Sequence, residues 1–204
     1  MSKIVINKKI VGWRIKDSNR TEGEIKSTQA PKRPVELDCD IHHANIKGDG
    51  WIILVGLLNG KPYEVMGGLS KHVEIPKSYK DGTLIKNPRK VVNSRYDLKF
   101  GETGKEILIK DIVSVFDNPN EGSLTRMLSL SLRHGVPIQY IIEQLQKDKH
   151  SDMFSFSKVV SRVIKKYIED GVAGAGVCDN CKSKELIYQA GCPVCKDCGY
   201  SKCG

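Results

Sequence analysis

Six of the seven cysteines lie in the last 27 residues, CDNCKSKELIYQAGCPVCKDCGYSKCG, from Cys178 to Gly204. Cys178-Asp-Asn-Cys181 and Cys195-Lys-Asp-Cys198 are C-x-x-C knuckles. Two such knuckles deliver four thiolates to a tetrahedral zinc at about 2.3 Å per bond. The ELIYQAG between them reads as a short hairpin, and Gly199 suits the tight turn in which backbone N–H groups point at sulfur. A segment this short has almost no core, so metal binding supplies most of its folding free energy. A second register also fits: Cys192-Pro-Val-Cys195 is a C-x-x-C, Pro193 suits a knuckle, and Cys198 and Cys203 are then left over. The first register is preferred because C-x-x-C-G-Y is the commoner closing knuckle.

Either way two thiols remain. In the preferred register they are Cys192 and Cys203. Strands that enter and leave one knuckle lie side by side, which puts this pair within disulfide reach. Exposed thiols beside Lys196 and Lys202 ionise more readily and exchange faster. The other candidates are weaker. Cys39 reads as a small buried hydrophobe. His42 and His43 are adjacent on an expected strand, point to opposite faces and cannot easily share a metal. Arg133-His134 at a helix end is first a charge–dipole contact, with a phosphate contact as the sharper alternative. No Walker loop, Rossmann fingerprint or Ser-His-Asp arrangement is visible.

The elements that must position these groups follow from pattern. Residues 1–33 carry few periodic signals and read as an arm or linker, with one strand around Val11 to Ile15. From Asp40 the pattern is β. Trp51 to Leu58 is apolar on both faces, as in a covered strand, and Asn59-Gly60 marks a hairpin into KPYEVMGG. TLIK, SRYDLKF and EILIKDIVSVF give further strands. Asn118-Pro119-Asn120-Glu121 then offers an N-cap, a first-turn proline and a capping-box glutamate. Leu124, Met127, Leu128 and Leu132 share one face of that helix. A second helix opens at Pro137, with Ile138, Ile141, Ile142 and Leu145 inward. A third runs from about Ser155, with Phe156, Val159, Val160, Val163, Ile164 and Tyr167 inward. Strands followed by helices indicate an α+β fold: an antiparallel sheet, a three-helix segment and a small terminal zinc ribbon. Four units result: 1–33, the arm; 34–170, the α+β domain; 171–177, a Gly/Ala hinge; and 178–204, the ribbon as a mobile unit.

Composition narrows the setting. At 204 residues and 39% hydrophobic, the chain can bury a real core. No apolar run approaches the roughly 20 residues that cross a bilayer, so no membrane role is expected. MSKIVINKKIVGWRIK lacks an apolar h-region and a cleavage site, which points to the cytoplasm. In a reducing compartment, clustered cysteines are metal ligands or redox-active thiols more often than structural disulfides. A net charge of +9 predicts weak, salt-sensitive affinity for nucleic acid.

The stretches RPVELDCDIHH, VGLLNGKPYEVMGG, TRMLSLSLRHGVPIQYIIEQL, SFSKVVSRVIKKYIEDG and GCPVCKDCGYSKCG occur in that order. From about Ala30 to the end they resemble the C-terminal region of adenosylcobalamin-dependent (class II) ribonucleotide reductases. The middle part is similar to the TSCPD domain, although those letters do not occur as a run. The resemblance implies a task for the two extra thiols. Such reductases oxidise an active-site cysteine pair at every turnover, and a flexible C-terminal dithiol re-reduces it and is reduced in turn by thioredoxin or glutaredoxin. Four cysteines are then for zinc, and Cys192 and Cys203 for electrons. The family's barrel, radical-bearing cysteine and cobalamin site lie upstream of the resembling region. The expectation is therefore a portion or split subunit that is inactive alone, working with a catalytic chain that carries the cobalamin. The competing expectation is a nucleic-acid-binding, regulatory or docking module, although Tyr188 and Tyr200 are the ribbon's only aromatics.

Overall fold

Six strands form one antiparallel sheet: β1 (Glu36–Ile46), β2 (Asp49–Leu58), β3 (Lys61–Leu69), β4 (Asp81–Lys86), β5 (Tyr96–Phe100) and β6 (Ile107–Ile109). Their order is β3-β2-β1-β4-β5-β6. The structure, a computed structural model, describes residues 29–46, 48–87, 96–116, 119–147, 155–174, 176–201 and 203. The strand expected around Val11 to Ile15 and the N-cap expected at Asn118 lie outside them. Among the described residues four helices follow: α1 (Ile112–Phe116), α2 (Pro119–Arg133), α3 (Ile138–Gln146) and α4 (Phe156–Ile164), the last running into a 3-10 turn, Lys165–Tyr167. A second, two-stranded sheet closes the chain, β7 (Leu186–Gln189) with β8 (Cys192–Cys195). The architecture is α+β. Among the described residues no helix is long and apolar enough to cross a membrane.

β2 shows why its sequence is apolar throughout. Trp51, Ile53 and Val55 point into a core shared with α2, α3 and α4. Ile52 and Leu54 point the other way, into a second core with Leu84, Leu98, Ile112 and Phe116. The period-2 alternation of a strand thus serves two cores at once. The β2–β3 turn is the expected one: Asn59 and Gly60 both take positive φ, 53° and 76°, the geometry that matches strand twist in a tight hairpin.

Two expectations about the elements are corrected. Ile112–Phe116 is a helix, not the end of a strand. Asp111 turns the chain with φ 49°, its N–H donates to Asp97 Oδ1 at 2.9 Å, and its carboxylate accepts from Ser114 at 2.8 Å. These local bonds override the β-propensity of Ile-Val-Ser-Val-Phe. Met127 is 63% exposed. The inward face of α2 runs through Leu124, Leu128 and Leu132 with Thr125 and Ser129. Ser129 belongs there because β3 is an edge strand. Its hydroxyl accepts from Val65 N–H at 2.9 Å and reaches Val65 C=O at 3.2 Å, which covers backbone groups an edge would leave open.

Candidate metal and disulfide site

The two knuckles fold as copies of one turn. In the first, Lys182 N–H donates to Cys178 C=O at 3.0 Å; in the second, Gly199 N–H donates to Cys195 C=O at 2.9 Å. Lys182 and Gly199 both take left-handed φ, 61° and 71°, so each chain doubles back directly after its second cysteine. The hairpin β7–β8 then carries Cys195 beneath Cys178. Both are buried, and Cys181 and Cys198 are exposed.

The four sulfurs converge. Cys178 and Cys198 lie 3.6 Å apart, Cys181 and Cys195 3.5 Å apart, and all four lie within 4.8 Å of one another. A tetrahedral zinc with bonds of about 2.3 Å requires sulfur–sulfur edges of about 3.8 Å. The cluster could hold a metal ion, and an all-sulfur donor set of this size fits zinc. The Tyr200 N–H holds the Cys198 thiol below its usual range. The Ser183 N–H pulls Cys181 the same way, but hydrogen bonding among the clustered thiols outweighs it and leaves Cys181 pushed up to about 12. Without a cation, then, some of these thiols must keep protons for their neighbours, and a dication would take the place of those protons.

Cys192 stands outside the cluster and is bonded to Cys203, with a Cα–Cα separation of 6.0 Å. The last residues reach it by running back along β8: Cys195 N–H donates to Tyr200 C=O at 2.9 Å, and Val194 bridges to Ser201. The six terminal cysteines therefore divide into a cluster of four and a bonded pair.

The ribbon is seated on the helical layer. Within the stretch expected as a hinge, Gly171 N–H donates to Tyr188 C=O, Tyr188 N–H to Val172 C=O and Gly174 N–H to Leu186 C=O, each at 2.8 Å. Tyr188 is 6% exposed and packs into the core shared by α3 and α4. Ala190 N–H donates to Asp170 Oδ1 at 2.7 Å. The Lys165 ammonium donates to Cys203 Sγ at 3.3 Å. Sequence reasoning missed Lys165, since nothing in a lysine at a helix end announces a partner 38 residues away. Of the lysines it named, Lys196 is exposed and Lys202 lies outside the described residues.

The remaining candidates sit elsewhere. Arg133 donates to Glu64 at 2.8 Å and lies over the Tyr63 ring, 5.0 Å from its centroid. Glu64 is fully buried and is also held by Arg33 at 2.6 Å. His134 closes α2 through its N–H to Leu130 C=O. His42 and His43 diverge as expected. His42 Nε2 donates to Tyr167 at 2.6 Å, and the Tyr167 hydroxyl donates to Asp40 at 2.5 Å. Burial lowers His42; burial and the Asp40 bond raise Tyr167. Cys39 is buried, and burial pushes its thiol up.

No curated protein and no solved structure matches the chain. A family model does: residues 37–169, from the start of β1 to just past the 3-10 turn, match the NrdJ homologue C-terminal domain. On that match, which spans well over half its length, the chain belongs to the family of NrdJ homologue C-terminal domains and contains a region related to the C-terminus of the ribonucleotide reductase NrdJ.

Proposed function

We propose that this chain carries reducing equivalents to a catalytic ribonucleotide reductase subunit. Cys192 and Cys203 form the working dithiol, and zinc held by Cys178, Cys181, Cys195 and Cys198 keeps the ribbon folded around them. The observation that carries this reading is the division of the tail cysteines into a cluster of four and a bonded pair. Coordinated thiolates are withheld from exchange, whereas an uncoordinated pair can cycle. A reduced thioredoxin or glutaredoxin gives two electrons and two protons to the Cys192–Cys203 disulfide and is itself oxidised. The resulting dithiol gives them to the active-site disulfide of the catalytic subunit and closes again. Adenosylcobalamin belongs to that subunit, and no step on this chain uses it. The work takes place in the cytoplasm, where such donors are kept reduced.

The test needs the zinc-loaded chain and its catalytic partner. The double variant Cys192→Ser, Cys203→Ser should complete about one turnover under thioredoxin and stall, and a small dithiol that reaches the active site directly should restore turnover. Sustained turnover of the double variant under thioredoxin would refute the shuttle.

A further inference from the structure

We infer that Lys165 sets the polarity of the dithiol, making Cys203 the attacking thiolate and Cys192 the resolving thiol, an assignment that rests on the dithiol reading above. Lys165 ends α4, outside the ribbon, yet it touches both flanks of the pair. Its Nζ lies 3.3 Å from Cys203 Sγ. Its carbonyl stands where a Cβ on Gly191, the residue before Cys192, would fall, at 2.7 Å. The backbone that carries the ammonium is thus held against the ribbon, and the side chain reaches one sulfur of the pair.

Exposure agrees with this assignment. Cys203 is exposed and Cys192 only half-buried at the start of β8. An attacking thiol must reach a sulfur on another molecule, whereas a resolving thiol need only reach its own neighbour. The other charged groups at the junction do not cancel Lys165. Asp170 takes the Ala190 N–H, Glu169 pairs with Lys61 at 3.2 Å, and the charge of Lys166 falls on His42. Burial pushes the Lys165 pKa down, so this partly desolvated ammonium gains from facing an anion. The step balances as follows. The Cys203 thiolate attacks one sulfur of an acceptor disulfide, forms a mixed disulfide and expels the other acceptor sulfur as a thiolate. Cys192, losing its proton, attacks Cys203 Sγ, reforms the intramolecular disulfide and releases the second acceptor thiolate. The acceptor gains two electrons, and the pair loses two.

A thiol beside a lysine titrates below the ordinary value of about 8.5. A shift of about one unit raises the thiolate fraction at pH 7 several-fold. Lower intrinsic nucleophilicity takes part of that back, leaving exchange about threefold faster. The test uses the full zinc-loaded chain and needs no partner. Cys203 is alkylated with iodoacetamide across pH in a Cys192→Ser background, and the modified peptide is quantified by mass. The midpoint should lie below 8.5, rise by about one unit in Lys165→Gln and return in Lys165→Arg. At pH 7, oxidised glutathione should form its mixed disulfide faster on Cys203 of Cys192→Ser than on Cys192 of Cys203→Ser, and Lys165→Gln should narrow the difference by about threefold, leaving the part that exposure sets. Equal midpoints with and without the lysine, or faster reaction at Cys192, would overturn the assignment. Failure of the shuttle itself would show only in the turnover experiment and leave these midpoints as they are.

Discussion

Gly191→Ala measures how firmly the ribbon sits on the helical layer. Gly191 has φ +74°, and a Cβ there would stand 2.7 Å from the Lys165 carbonyl oxygen, against an ordinary contact that begins at 3.4 Å. The oxygen terminates α4, packed in the core, so it cannot yield; the ribbon would have to move by about 0.7 Å. Two costs follow. Left-handed backbone with a side chain costs about 1–2 kcal/mol, and forced overpacking about 1–3 kcal/mol more. Gly60→Ala is the control, because Gly60 has φ +76° and nothing within 4 Å of its Cβ position. It bears the first cost alone. Urea unfolding of the zinc-loaded proteins, followed by circular dichroism, should place Gly191→Ala about 1–3 kcal/mol below Gly60→Ala. In a chain of this size that is a Tm difference of about 2–4 °C per kcal/mol. The clash can cost no more than undocking does, so limited proteolysis within 171–177 should accelerate in Gly191→Ala and not in Gly60→Ala. Equal losses in the two variants, with equal proteolysis, would mean that the ribbon does not rest on α4 in solution and the hinge leaves it free.

Three further outcomes are expected. Metal analysis should give about one zinc per chain, Cys195→Ser should lose it, and the ribbon alone should become protease-sensitive; full zinc retention in that variant would refute the four-cysteine site. Glu64→Gln should cost about 3–5 kcal/mol in urea unfolding, because it strands two guanidinium groups on a fully buried partner position; a loss below 1 kcal/mol would show that the network is solvated. His42, whose native pKa is lowered by burial, binds fewer protons folded than unfolded. Its stabilising effect is therefore complete above about pH 6.5 and is lost as pH falls below that value. A Tm profile from pH 8 to 5 should fall on the acid side and fall less steeply in His42→Gln. An unchanged slope in the variant would assign it to other groups, such as His43.

Much of the fold was legible because local and global preferences agree. Asn59-Gly60 could only be a tight turn, and the stripes of α3 and α4 have one inward face each. Reading failed where tertiary context overrode propensity. Ile-Val-Ser-Val-Phe is β-prone, but the Asp111 turn makes it a helix. Met127 is the larger apolar side chain, yet the buried position belongs to Ser129, because an edge strand needs a hydroxyl more than a thioether. The cysteine spacings announced the cluster and left the register open between Cys192 and Cys198. What spacing could not supply was the seat. Tyr188 reads as one aromatic of a small ribbon, and only the packed structure makes it part of the core between α3 and α4.

That seat bears on how a dithiol on this chain would work. A ribbon held only by its metal would present Cys192 and Cys203 equally to any partner. Here the backbone pairing of 171–174 with β7, the buried Tyr188 ring and the Gly191–Lys165 contact fix one face of the ribbon against α4. Among the described residues the ammonium on Cys203 is that of Lys165, and the seated state puts it there. A ribbon that leaves its seat to reach a distant acceptor gives up that ammonium, and its thiol pKa rises accordingly. Reactivity and reach are thus opposed in this geometry. The opposition is resolved if acceptors come to the α4 side, or if the thiolate attacks before it reprotonates. Rapid reprotonation of exposed thiols in water favours the first. If the shuttle proposed above holds, a catalytic partner should dock where α4 and the ribbon meet. Charge reversal at the exposed Lys166, next to Lys165 at that junction, should then weaken partner binding while leaving the Cys203 alkylation midpoint within a few tenths of a unit.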